Sequence, residues 1–475
     1  MSGLICISGN AGQNKTVGNK PIISNLRSKG EPTLSSFIIK YIAIDNDNQI
    51  LKHTLILNGQ RKDISADVSC EQINREFTYT VSGLDAGTKY NVQIEVTDGS
   101  ESVLSDAITV TTSNIQNLGI KIMTNNSNPE TAVSYIEDAI GISPAKNGNL
   151  NGWKDKWPFN KIRIVGFKNG SVIDEINPQD KSKYISGTSV PTDADVMVEI
   201  PKIYWKVTTI PNGYEIRISN IKKDSDYKCL AHLVSGVEKD NIYIGAYLGS
   251  VENGKLRSRS GVTPIASTTL TVFRQYAQAN GSGYQLDNWY PLVLRKILYL
   301  LAYKNLDSQT ALGRGYVDGN SKPTNTGGTN TKGLYYGSTN GKEQVCFLGI
   351  EDFYGNLYTW VDGMYYNGNI MVTPDNKTFN DSASGFKNIG STTNWNGGGW
   401  ISDVVKTTEG LFFPYGKSGS SNTYYSDYGT VNSGYFSIHG GNYGDGGNAG
   451  TFRLSVDYGA SELYSAIGGR LVYMG

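Results

Sequence analysis

The chain has 475 residues, with 43 Lys and Arg against 43 Asp and Glu, so its formal net charge is zero and no long-range field draws it to nucleic acid or an anionic membrane. Glycine (56) and tyrosine (31) are in excess, and the excess is local: residues 331–475 hold 27 Gly and 15 Tyr, residues 1–120 only 10 and 3. There is no Gly-X-Y period and enough Phe, Trp, Ile and Val for a core, which excludes collagen and a disordered tail and leaves a loop-rich folded domain with many exposed phenols.

In chain order, the opening MSGLICISGN has neither a basic n-region nor an apolar run, so the expected product is soluble and made in a cytoplasm. Residues 1–30 are polar and read as an attachment arm. Residues 31–113 are expected to form an all-β sandwich. Phe37–Ile44, His53–Leu57, Phe77–Val81, Tyr90–Val96 and Ala107–Thr112 are β-branched runs, several of them alternating, with turns at Asn58-Gly59, Asp85-Ala-Gly87 and Asp98-Gly99. Residues 114–130, with Asn125-Asn-Ser-Asn-Pro129, read as a linker, and Thr131–Ile140 behind Pro129 as a possible short helix.

Residues 131–330 mix types. Lys161–Phe167, Val196–Trp205 and Tyr214–Ile218 predict strands, and Thr271–Asn280 and Trp289–Lys304 predict helices. In the second helix Leu292, Val293, Lys296, Ile297, Leu300 and Leu301 follow 3-4 spacing, widened by Leu294, Leu298 and Ala302, so it should be largely buried; Arg295 and Lys296 keep the run from spanning a bilayer. Residues 331–475 predict short strands and many turns, with no internal repeat. Cys6, Cys70, Cys229 and Cys346 lie far apart and read as isolated reduced core thiols.

Two resemblances follow. Leu84-Asp-Ala-Gly-Thr-Lys-Tyr90 resembles the fibronectin type III/immunoglobulin-like signature, which implies a tyrosine corner at Tyr90 with its hydroxyl on nearby backbone. Gly349–Gly363 (with Gly-Asn-Leu-Tyr-Thr-Trp360), then Gly440–Gly450, Thr451-Phe-Arg-Leu454 and Ile467-Gly-Gly-Arg-Leu-Val-Tyr473, resemble the C-type-lectin-like fold of the formylglycine-generating-enzyme branch. Within it the chain is most similar to virus tail-tip and diversity-generating receptor-binding proteins. Together these imply an α+β chain: an Ig-like/fibronectin III β-sandwich followed, over 131–475, by a C-type-lectin-like domain with two helices.

The resemblance implies a phage or prophage-particle tail-tip component, located in the virion. It would attach to a bacterial surface glycan or protein, dock on other tail or baseplate proteins through its N-terminal region, and form a homotrimer. Tyr, Ser, Gly and Asn suit a binding face, because Tyr gives rigid contact area at low entropy cost. The expected ligand contacts are Tyr424, Tyr425, Tyr428, Tyr435, Tyr443, Asp445, Asn448, Asp457, Tyr458 and Tyr464. Strand parity puts Phe452, Leu454 and Val456 on one buried face and Arg453, Ser455 and Asp457 on the other. Arg453 and Arg470 read first as structural, bonded to loop carbonyls or salt-bridged, and second as ligand contacts.

No catalytic activity, cofactor or metal is expected. The copper-holding cysteine pair of formylglycine-generating enzymes has no counterpart beside Cys346. The three His (His53, His232, His439) show no metal spacing, and there is no GxSxG. Animal-lectin calcium motifs are absent; Asn394-Trp-Asn-Gly is the nearest and is reversed. Two alternatives stay open: a bacterial surface adhesin, and a depolymerase using Glu351/Asp352 with Asp362.

Overall fold

In a computed structural model of the chain, residues 19–46, 51–71, 76–319, 321–392 and 395–475 are described. They divide into two compact units, the first ending at Ile115 and the second running from Gln116 to Gly475.

The first unit is built of two antiparallel sheets. One has the strand order Ile22–Lys29, Ser36–Ile44, Glu76–Ser82, Ser69–Glu71. The other has Gln60–Asp63, Lys52–Leu57, Lys89–Thr97 and Ser102–Leu104, with Ile108–Thr111 also on Lys89–Thr97. Alternation drives this pairing. Phe37, Ile39, Tyr41 and Ala43 point inward from one sheet and Tyr90, Val92, Ile94 and Val96 from the other, into one shared core. The Tyr90 ring is buried, and its hydroxyl accepts the Asp85 backbone N–H at 2.8 Å. Of the expected arm, residues 1–18 lie outside the described residues, while Ile22–Lys29 is a strand.

The second unit has three larger sheets. A four-stranded one runs Val133–Glu137, Asn117–Met123, Gly213–Ser219, Tyr204–Ile210. The stretch expected as a linker therefore holds a central strand, and the short helix expected after Pro129 is instead the Val133–Glu137 edge strand. Thr131, Val133 and Tyr135 are β formers, and pairing with Asn117–Met123 overrides the helix-opening proline. A six-stranded sheet has the order Ser171–Glu175, Arg163–Lys168, Asp195–Pro201, Asn241–Gly245, Leu471–Tyr473, Tyr284–Leu286. The last, eight-stranded, runs Lys387–Ser391, Asn369–Val372, Tyr358–Tyr366, Tyr435–His439, Leu454–Tyr458, Tyr428–Val431, Gly397–Trp400, with Ile467–Gly468 parallel to Tyr358–Tyr366.

The expected α+β class, a sandwich followed by a lectin-like domain with helices, is overturned. Strand dominates both units, and the described α-helices are only α1 (Leu270–Gln278), α2 (Trp289–Tyr303) and the single turn Ser308–Ala311. Two well-patterned helices gave helix too much weight in a unit whose many strands are only two to nine residues long. The helices themselves form where their spacing predicts. Thr269 caps α1 by accepting the Val272 N–H, and all fifteen residues of α2 are buried. Among the described residues no helix is long and apolar enough to cross a membrane.

The Gly349–Gly363 segment is a structural knot. Asn356 bridges Thr324 and Asp352: its Oδ1 accepts the Thr324 N–H at 2.9 Å and its Nδ2 donates to the Thr324 carbonyl and the Asp352 carboxylate. Arg470, buried, donates to the carbonyls of Gly245, Glu351 and Asp352 at 2.8–3.0 Å, and burial pulls its guanidinium down to about 10. Its role is to tie three chain segments together, the first of the two readings given above.

Candidate functional site

The site is built on the edge of the eight-stranded sheet. Its outermost strand, Gly397-Gly-Gly-Trp400, has no side chains until Trp400. A Cβ at Gly398 would run into the Tyr428 hydroxyl, so the bare backbone is what lets Tyr428 lie across its neighbour. Trp400 and Tyr428 face each other in register and meet edge-to-face, with centroids 5.6 Å apart. Arg453 comes next, its guanidinium 6.0 Å from the Tyr428 ring centre and 5.1 Å from that of Tyr358. Arg453 donates to the Tyr358 hydroxyl, to the Asn448 carbonyl at 3.0 Å and to Asp445 at 3.3 Å. Its Nε–H has no partner among the described residues.

A second aromatic group follows on the same strand. Tyr458 packs edge-on against buried Trp360 and sits 5.7 Å from Tyr464, which is 42% exposed beside Leu463 at 67%. Asp457 joins the two groups in sequence. Burial raises its carboxyl to about 6 against the pull of Arg453, and its Oδ1 is buried without a partner among the described residues. Burial and Asp457 push the Tyr458 phenol up to about 12.

The loop that carries the remaining expected contacts is pinned from inside. Tyr443 exchanges backbone bonds with Gly319 and Asn356. Asp445 accepts the Asn442 N–H at 2.8 Å as well as Arg453. Gln309 holds the carbonyls of Gly446 and Ala449, both at 2.8 Å. Asp445 and Asn448 thus shape the loop, while the half-buried Tyr443 ring remains at its surface.

Several expected contacts are placed elsewhere. Tyr425 is 2% exposed and its hydroxyl meets that of Tyr214 at 2.6 Å, so it is a core residue. Two phenols satisfy each other there, which removes the usual penalty of burying one. Tyr424, at φ +57°, and Tyr435 lie half-buried against the same core. Phe452, Leu454 and Val456 are buried as parity requires, but Arg453 and Ser455 are buried too, because both faces of this strand are covered; only Asp457 of that face is half-exposed. Asn394 lies outside the described residues, and Trp395 is core, donating to the Gly397 carbonyl.

The residues missed in the sequence are Trp400, Tyr358 and the three glycines before Trp400. The signal was a Gly-Gly-Gly-Trp run whose turn-like composition hides an edge strand. The carboxylates weighed for catalysis are tied down. Glu351 accepts from Gly327, Thr329 and Gln344, and Asp362 takes a two-point contact from Arg274 at 2.7 and 2.8 Å. Burial and Glu351 raise Asp352 to about 8. No group of three or more His, Cys, Asp or Glu among the described residues could share a metal ion.

No family model matches the chain, and no curated protein does. Among solved structures, the Major Tropism Determinant U1 variant is similar over 82% of this chain and 81% of its own, at 13% identity and a TM-score of 0.26. A Kfla1895 mutant in complex with cyclobis-(1->6)-alpha-nigerosyl, or with isomaltose, is similar over 40% of this chain and 29% of its own, at 8% identity and a TM-score of 0.16. Superpositions at these scores fix neither fold nor function.

Proposed function

We propose that the chain is a receptor-binding protein of a phage or prophage-particle tail, attaching to a bacterial surface glycan or protein through the second unit. The observation that carries this is the half-exposed aromatic pair Trp400–Tyr428, backed by the buried Arg453, with the Tyr458–Tyr464 pair beside it, on a scaffold whose own polar groups are mostly bonded internally. Rigid, half-exposed aromatic rings are what a neutral protein needs for short-range recognition. The ligand contacts on this reading are Trp400, Tyr428, Tyr443, Asp457, Tyr458 and Tyr464, with Arg453 holding the row together. Trimeric assembly and docking on tail proteins through the first unit belong to the same proposal, since multivalency raises weak single-site affinity. Adsorption of the purified protein to host cells tests it.

A further inference from the structure

A second concavity shares no lining residue with the aromatic row. The hairpin Gly249–Glu252/Lys255–Ser258 and the segment 259–265 that follows it enclose, with Thr192, a cleft of about 640 Å³. That volume suits one or two sugar rings. Val251, Val262 and Ile265 give it an apolar side, and Thr192 and Ser250 supply hydroxyls. The cleft is held in shape from behind. Ser260 accepts from Asn330 at 2.6 Å, Thr263 donates to Asn325 at 2.8 Å, and Val262 accepts the Thr326 N–H at 2.9 Å while its own N–H donates to the Thr326 hydroxyl at 3.2 Å.

Arg259 is the cation of this cleft. Its side chain is 15% exposed, and its Nε–H is buried with no partner among the described residues. Its one ion pair among the described residues is with Glu252, at 3.2 Å, and Glu252 is 53% exposed, held besides only by a longer 3.7 Å contact to Arg257. The neighbouring Arg257 is committed to Asp195 at 2.9 Å. Burial and the Arg257 charge both lower the Arg259 guanidinium, so a carboxylate placed there would relieve it.

We propose that this cleft binds an acidic sugar, a hexuronate whose carboxylate takes the place of Glu252 on Arg259 while its ring lies against Val251, Val262 and Ile265. The planar guanidinium matches a carboxylate edge to edge. Asp193, Asp195 and Glu252 surround the one available cation, which disfavours a dianionic phosphate. Thr192 and Ser250 meet the ring hydroxyls. The cleft lies next to the aromatic face, since Ser267, two residues past Ile265, donates its N–H to the Tyr464 carbonyl at 3.1 Å. The inference does not rest on the receptor-binding reading, because it concerns a soluble sugar and not a cell.

The test is a saturation-transfer NMR titration of the full chain with D-glucuronic acid, with D-glucose, acetate and glycerol 3-phosphate as parallel probes. Glucuronic acid should bind about tenfold or more tighter than glucose and than acetate, as expected for one charge-assisted contact added to ring contacts. Arg259→Gln should weaken glucuronic acid by a similar factor. Glu252→Gln alters an exposed side chain and removes the competitor, so it should tighten binding several-fold. Equal binding of glucose, equal binding of acetate, tighter binding of glycerol 3-phosphate, or an affinity unmoved by Glu252→Gln would each overturn the assignment.

Discussion

Arg453 holds its guanidinium 5.1 Å from the ring centre of Tyr358 and donates to that residue's hydroxyl. Through this one pair the Leu454–Tyr458 strand, the Tyr358–Tyr366 strand and the Gly440–Gly450 loop are fixed together, since Arg453 also donates to Asn448 and Asp445. Arg453→Ala removes a donor from the mostly buried Asp445 carboxylate and from the Tyr358 phenol. It should cost about 2–4 kcal/mol, read as a lowered midpoint in urea unfolding of the second unit. A midpoint within error of the parent would show that the contacts of Arg453 are incidental.

Gly398 matters for what it lacks. A valine there would push the Tyr428 ring off the strand and away from Trp400. Gly398 is exposed, so Gly398→Val should cost at most about 1 kcal/mol while lowering adsorption to host cells. Thermal unfolding beside an adsorption assay separates the two effects; adsorption at the parent level would remove the Trp400–Tyr428 row from the site.

Lys296 is wholly buried in α2 with no hydrogen-bond partner among the described residues, and burial lowers its amine to about 7. The nearby Asp427 carboxyl is itself held well above its ordinary range by burial. A folded-state value below the unfolded one, near 10.4, means the unfolded chain holds the extra proton between those values. This group therefore destabilises fully below about pH 7, and stability returns as pH rises above it. Lys296→Met should stabilise by about 1–4 kcal/mol at neutral pH and flatten the rise towards alkaline pH in urea midpoints. A destabilised variant would mean that the amine has a partner in solution.

Asp457 gives the opposite slope. Its carboxyl, raised to about 6 against an unfolded value near 3.9, favours the protonated folded state. The stability it provides is present below about pH 4 and lost as pH rises through about 6. Asp457→Asn should abolish that component, so parent and variant urea midpoints converge at pH 4 and the variant is the more stable at pH 7. Parallel curves would place Asp457 in free contact with water.

The two sheets of the first unit were legible because alternation over Ser36–Ile44 and Lys89–Thr97 is complete, and α2 because its apolar face runs almost all round. The class was not, because strands of two to five residues rich in Gly and Asn leave no period to read. Parity found the buried Phe452, Leu454 and Val456 but not the cover over Arg453 and Ser455, which comes from strands and loops distant in sequence. Tyr425 was read as surface because a phenol's burial depends on its partner, here Tyr214, which lies 211 positions away. Tyr458 and Tyr464 could be singled out as tyrosines of the late strands and loops, but their pairing with each other and the edge-on packing of Tyr458 against Trp360 needed the fold.

The central claim is that the aromatic face makes the cell contact. The measurement is adsorption of the full chain carrying Tyr458→Ala and Tyr464→Ala to host cells, beside its thermal unfolding. Two lost aromatic contacts should weaken adsorption about tenfold or more, with the unfolding transition still cooperative and close to the parent's. Adsorption at the parent level by a folded double variant would contradict it.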